Sequence, residues 1–420
     1  MDGKKRILMI ADADSFWTRR LMEHLLLPAG YELVLFPIWG DGGKYADFYR
    51  ANGVTVYHDR HTLPVIRHIP RLRMWARIAL NARDLKRLGP FDIVHNHYLS
   101  QRDLALGRLV ARRFHAHWAC SFWGSDLLRA SPLALRRMKP YLRLCDAISV
   151  HSELNRTMIR RVYGEEIAQK TTLLYFGQTG YADIDRARER FTPAQCRARF
   201  GIAPDRFVVC VGYSASSAQQ QLEVLEALQL LPAERLRRMT LVLQQTYGEN
   251  DPAYVARTRE LAGRLPCQTV VLTQFLGPED SAMLRLSADV FILAIRTDAF
   301  SASMQEYLYA GACVLKGAWL GYPQLEDMGI ELESFRDFAD IPALVARAMD
   351  GALTGLAPGQ RALFPRLYSW EAVGELAVPL PLITFRRWAG PSACSAIRWR
   401  GCTSGAAVPF SCVCTRNRAS

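Results

Sequence analysis

The feature that most constrains this chain is a repeated change of period. Short runs that are apolar throughout alternate with segments whose apolar residues recur at helical spacing, up to about residue 375. KRILMIAD, YELVLFPIW, VTVYH, FDIVHNHY, HWACSFW and AISVHS read as strands buried on both faces. Between them FWTRRLMEHLLLPAG, residues 65–88 and stretches near 103–114 and 133–143 read as helices. Around 176–205 the pattern lapses, and a linker is expected at about 176–190. It restarts with FVVCVGYS, MTLVLQQ, TVVLTQF, DVFILAI and CVLKG as strands, with helices such as LEVLEALQLL and SMQEYLYAG between them. Strand–helix alternation implies parallel sheets with helices on both faces. The fold class is therefore α/β, with two Rossmann-like doubly wound domains, residues 1–175 and 176–380. The cleft between two such halves is the expected ligand site.

Composition narrows the classes. Half of the residues are hydrophobic and 22% are charged, which suits a globular chain. No apolar run approaches the roughly 18 residues that would span a bilayer. Only five apolar residues separate Lys4, Lys5 and Arg6 from Asp12, too few for a secretory segment, so a cytoplasmic start is expected. The net charge is +13, concentrated in residues 1–175 and in the last forty, whereas 176–380 carries more acids than bases. A basic first half points to an anionic partner: nucleic acid, a phosphorylated substrate or an anionic membrane surface. The stretch 65–88 holds Arg67, Arg71, Arg73, Arg77, Arg83, Lys86 and Arg87 against Asp84, with Trp75, Ile78 and Leu80 interleaved. Such a helix can lie on anionic lipid or form a solvated face over a core stripe. No nucleic-acid-binding motif accompanies it.

Residues 381–420 differ from the rest, with six arginines, no Asp or Glu and no periodicity. They read as a disordered tail or as out-of-frame translation. Four of the ten cysteines crowd there; the other six are scattered and read as reduced core residues.

The segment TDAFSASMQEYLYAGACVLKG places seven residues between Asp298 and Glu306, with Ser301 and Ser303 suited to capping the helix there. Exposed N–H groups at that helix start would hold an anion such as a diphosphate, and both acids can face the cleft. An ordinary capped surface helix would show the same spacing. Asp12-Ala13-Asp14 ends the first strand in a loop facing the cleft. His95-Asn96-His97 and His115-Ala116-His117 each put two histidines on one strand face, which allows either a metal or lining of the cleft or core. No third-ligand pattern supports a metal. His97 and His117 are candidates for acceptor contact or general base.

The Asp298–Glu306 segment, with its small-residue turn Ala310-Gly311-Ala312, resembles the donor-binding motif of retaining glycosyltransferases of family 4, which have the GT-B fold. PFDIVHNHY at 90–98 and SFWGSDLL at 121–128 are similar to a strand and an acceptor-side loop of that family's first domain, in the same order. The resemblance implies that Glu306 binds the nucleotide ribose and Asp298 the transferred sugar, with Asp standing where the family usually has Glu. It places Trp123 and Asp126 with Asp12 and His97 on the acceptor side. The family usually has an Arg and a Lys after the first strand of its second domain to neutralise the donor diphosphate. Here that segment is VGYSASSAQQQ, where Ser214, Ser216, Ser217 and Gln219 are polar replacements, and Arg296 or Lys316 could supply the charge from elsewhere.

The expected function is transfer of a sugar, with retention, from a nucleotide-sugar donor to a glycan or lipid-linked acceptor in surface polysaccharide synthesis. The protein would work in the cytoplasm or on the inner membrane face, with no cofactor beyond the donor. In this fold retention is usually assigned to front-face attack, the leaving phosphate taking the acceptor proton. The alternatives are a catalytically silent carbohydrate-binding partner subunit and a nucleotide-sugar epimerase on the same fold.

Overall fold

In a computed structural model the described residues are 4–66 and 68–377, with backbone only for 375–377. Arg67 and the unusual tail lie outside them. The first sheet has seven parallel strands in the order β3-β2-β1-β4-β5-β6-β7: β1 Arg6–Ala11, β2 Glu32–Pro37, β3 Thr55–Val56, β4 Ile93–His97, β5 His117–Ser121, β6 Ala147–Val150 and β7 Thr171–Leu173. The second has six in the order β10-β9-β8-β11-β12-β13: β8 Phe207–Val211, β9 Met239–Gln244, β10 Gln268–Leu272, β11 Val290–Leu293, β12 Cys313–Gly317 and β13 Ser334–Phe335. Both are doubly wound, as the alternation of periods predicts. In β1, five of the six residues are buried, because helices cover both faces of a parallel sheet.

Strand order reverses between β1 and β4 in the first sheet and between β8 and β11 in the second. Ligands bind at the carboxyl ends of strands at such switch points. That rule selects the loops after β1, β4, β8 and β11, and Asp12, His97, Tyr213–Ser217 and Asp298 lie on or beside them.

The structure corrects several expectations. The basic stretch 65–88 is not one helix: a 3-10 turn at Pro64–Ile66 precedes helix α1 (Pro70–Leu88), which opens on a proline. Of the interleaved apolar residues Ile78 enters the core while Trp75 stands exposed. Helix α2 (Gln101–Phe114) ends on His115 in a left-handed conformation (φ 52°), so His115 and His117 share no strand. The expected linker at 176–190 is helix α3 (Gly180–Arg190), whose Ile184 and Ala187 pack against Met283 of helix α4 (Pro278–Ser287). The last described helix, α6 (Trp370–Ala377), follows α5 (Ala302–Ala310) and returns to the first lobe. There Trp370 stacks on His24 with ring centroids 5.0 Å apart. The six cysteines among the described residues form no disulfide, and all but Cys267 are buried. Among these residues no helix is long and apolar enough to cross a membrane, and no group of three His, Cys, Asp or Glu residues is placed to hold a metal.

Candidate functional site

Helix α5 begins where the sequence predicts. Ser301 is its N-cap, its hydroxyl accepting the Met304 N–H at 3.2 Å. Asp298 lies in the loop before the cap, and the Tyr322 hydroxyl donates to its Oδ2 at 3.0 Å. Burial raises the Asp298 carboxyl above its ordinary range, while Tyr322, the N–H groups of Ala299 and Ser301, and Arg129 pull it back.

Glu306 sits one turn into α5 and meets a cation that sequence reading missed. Arg285, on α4, is 5% exposed and donates from Nε to Glu306 Oε2 at 3.2 Å. Its Nη1 reaches Gln244 Oε1 at 3.1 Å and its Nη2 reaches Ser303 Oγ at 3.2 Å. The guanidinium also lies over the Tyr307 ring, 4.5 Å from its centroid. Ser303 therefore serves this network rather than the helix cap. Burial raises the Glu306 carboxyl and Arg285 opposes it. Gly180 opens α3 against this carboxylate, because a Cβ there would lie 2.3 Å from Glu306 Oε1. The available signal for Arg285 was one cation inside an apolar helical run, SAMLRLSADV.

The loop after β8 is organised by its own polar side chains. Ser216 caps the 3-10 turn Ser217–Gln219, accepting from Ala218 N–H at 3.3 Å. Ser217 donates to Asn250 Oδ1 through both its N–H (2.9 Å) and its hydroxyl (3.3 Å). Gln219 accepts from Tyr213 N–H at 3.3 Å, Gln220 donates to the Ala294 carbonyl, and Gln221 donates to the Val211 carbonyl at 2.8 Å. The glutamine run thus ties the loop to the ends of β8 and β11, and Ser216 and Ser217 act within the protein. Ser214 is buried beside Gly248.

Neither predicted replacement cation is poised in the same way as Arg285. Lys316 donates to the Leu320 carbonyl at 2.8 Å, and its half-buried setting lowers its pKa. Arg296 is exposed, with its guanidinium over Trp319, 5.4 Å from the ring centroid. A first-lobe cation does reach across: Arg129 donates from Nη2 to the Thr297 carbonyl at 3.4 Å, one residue before Asp298. It follows directly on the SFWGSDLL loop.

On the first lobe, Asp126 is an organiser. Buried, it accepts the N–H groups of Leu99 (2.8 Å), Trp123 (2.8 Å) and Gly124 (3.0 Å). Burial pushes its carboxyl up to about 7, against these three donors. Gly124, at φ 106°, brings the loop against the second lobe: a Cβ there would lie 3.7 Å from that of Ala299. Asp12 follows β1 directly and is half-buried, accepting the Asp14 N–H at 3.0 Å, and burial raises its carboxyl.

His97 lies at the carboxyl end of β4, as expected, and is buried. Its ring meets Trp123 edge-on with centroids 4.6 Å apart, and burial lowers its pKa well below the ordinary value. His151, which sequence reading did not single out, stacks on Phe176 at 3.7 Å and is lowered to about 4. His97 Nδ1, His151 Nε2, Trp123 Nε1 and both amide atoms of Asn155 are buried with no hydrogen-bond partner among the described residues.

His117 does not join them. It pairs in register with Ile93 at the amino end of its sheet, and its Nδ1 lies 3.7 Å from Asp146. Parallel strands put their first residues at the edge opposite the cleft, so the choice of His117 as a general base is corrected.

Residues 17–177 match the model of Glycosyltransferase Family 4. The described residues have the GT-B fold. A glycosyltransferase from Rickettsia africae superposes with a TM-score of 0.70 at 14% identity, over 90% of this chain and 97% of that one. HepE from Anabaena, solved with UDP and glucose, gives 0.67 at 15% over 89% and 98%. Sucrose-phosphate synthase from Thermosynechococcus elongatus gives 0.66 at 16% over 89% and 97%. No curated protein matches the chain in sequence.

Proposed function

We propose that this GT-B protein is a retaining glycosyltransferase that moves a sugar from a nucleoside-diphosphate sugar to a glycan or lipid-linked acceptor in surface polysaccharide synthesis. The observation that carries the reading is the meeting of three features at the two switch points. Glu306 is held by Arg285, Asp298 stands before a capped helix start, and the Trp123 loop with Arg129 lies opposite. Glu306 would bind ribose hydroxyls and Asp298 hydroxyls of the donor sugar. The helix start and Arg129 would stabilise charge developing on the departing diphosphate. The likeness to HepE, solved with UDP and glucose, supports a nucleotide donor.

A peripheral site of action on an anionic membrane belongs to the same proposal. Ile69 at the start of α1 and Leu72 and Trp75 on it stand exposed at three-residue steps, Val65 just before them is 92% exposed, and Arg71 and Arg73 lie among them. An apolar ridge flanked by arginines, with no acid in the first turn, suits an anionic lipid surface.

The test is release of nucleoside diphosphate from a panel of UDP-, GDP- and TDP-sugars. Release with one donor, abolished by Asp298→Asn while the nucleotide still binds, is expected. The product anomer, read by NMR, then reports retention. Sugar binding without release from any donor would select the silent partner subunit instead.

A further inference from the structure

A cavity of about 410 Å³ opens in the first lobe beside α1. Its floor is aliphatic and aromatic: Phe36, Ile38, Met74, Ile78 and Leu106. Three arginines border it, and they are not equivalent. Arg77 is held by Asp59, its Nε donating at 3.0 Å, and Asn81 supports the same carboxylate at 3.1 Å. Arg102 donates from Nε to Asp103 at 3.0 Å. The guanidinium of Arg73 has no hydrogen-bond or ion-pair partner among the described residues, so the wall carries one uncompensated positive charge.

The cavity is tied to both surfaces already described. Pro70, Arg73 and Met74 come from the start of α1, where Leu72 and Trp75 form the exposed ridge. Arg102 and Asp103 come from the first turn of α2, three and four residues after Leu99, whose N–H is held by Asp126 of the Trp123 loop. The walls also include Pro37 and Ile38 at the carboxyl end of β2, the sheet edge that carries His97. The lining acids and Asn81 are engaged with Arg77 and Arg102 or with each other, so a free sugar would meet mainly the apolar floor. A free phosphate would leave that floor in water. A phosphate-headed amphiphile satisfies both parts, because its methylenes leave water on the apolar floor and a guanidinium–phosphate contact supplies a charge-assisted bond.

We propose that this cavity seats the acceptor: an amphiphile with a phosphate head, taken from the membrane face that the α1 ridge touches. The first carbons of its chain lie on the Phe36–Ile38–Leu106 floor, and Arg73 engages the phosphate, flanked by Arg77 and Arg102. This rests on the glycosyltransferase reading and names its acceptor class.

The experiment is calorimetric titration of the full chain with monomeric octyl phosphate, with inorganic phosphate and octyl glucoside as comparison probes. Nucleoside diphosphate is titrated in parallel. Octyl phosphate should bind, and each comparison probe should bind at least tenfold more weakly. Arg73→Gln should weaken octyl phosphate about tenfold, and Met74→Trp, which fills the cavity, should weaken it further. Neither variant should change nucleotide affinity, which also shows that they fold. Equal binding of octyl phosphate and inorganic phosphate, equal binding of octyl glucoside, or an Arg73→Gln variant that binds as wild type would each overturn the proposal. Octyl phosphate binding without any nucleotide binding would remove the transferase reading and, with it, the acceptor role.

Discussion

The two lobes present opposite chemistry at their switch points. On the second lobe a buried cation and a nearly buried carboxylate answer each other, with Arg285 donating to Glu306, Gln244 and Ser303. On the first lobe His97, His151, Trp123 and Asn155 are uncharged, and each holds at least one buried polar atom unpartnered among the described residues. A satisfied charge network fixes a geometry before any ligand arrives. Buried unpaired donors and acceptors each cost about 1–3 kcal/mol, and a ligand that pairs them recovers that cost. The contrast fits a preset donor side and, around His97 and Trp123, uncharged polar atoms that a ligand's hydroxyls would pair; none of these four residues lines the Arg73 cavity.

Breaking the charged side should have the largest effect. Arg285→Met leaves Glu306 buried without its cation and should cost about 3 kcal/mol or more in urea unfolding. Adding Glu306→Gln should recover a substantial part of that loss, and strict additivity of the two changes would count against the network. On the neutral side the balance reverses. His97→Phe should change stability by less than about 1 kcal/mol while lowering the transfer rate about tenfold. A large stability loss there would make His97 a packing residue.

A pH series sharpens the same comparison. His95 and His151 are lowered to about 4 in the folded chain, and His97 is lowered as well, against roughly 6.5 when unfolded. Between about pH 4 and 6.5 the unfolded chain therefore binds more protons through these groups, and their contribution to stability falls as pH falls. Asp126, raised to about 7, acts in the opposite sense. Melting temperatures should thus drop less on the acid side in His97→Phe than in wild type. The smallest effect is expected from Gly180→Ala. The added methyl would press on the Glu306 carboxylate that Arg285 pins, and nucleotide affinity should fall a few-fold with little change in melting temperature.

The fold was legible because parallel strands buried on both faces write themselves as unbroken apolar runs, β1 and β9 above all. Asp298, the Ser301 cap and Glu306 were legible because one helix start fixes them by local spacing. Arg285, Arg129 and His151 were not, because each acts on a partner brought near by the tertiary fold: Arg285 lies 21 residues before Glu306 and Arg129 lies 168 before Thr297. The serines after β8 misled for a related reason. Their type suited phosphate, but the hydroxyls of Ser216 and Ser217 and the neighbouring glutamines are spent on the loop itself. His117 failed because strand direction, not strand membership, decides which edge a residue occupies.

The most direct measurement is a calorimetric titration of UDP, GDP and TDP into wild type, Glu306→Gln and His97→Phe. The account predicts that one nucleotide binds wild type and His97→Phe alike and binds Glu306→Gln at least tenfold more weakly. Equal losses in both variants, or full affinity in Glu306→Gln, would contradict the division of the site into a charged nucleotide-binding half at Glu306 and an uncharged half at His97 that takes no part in nucleotide binding.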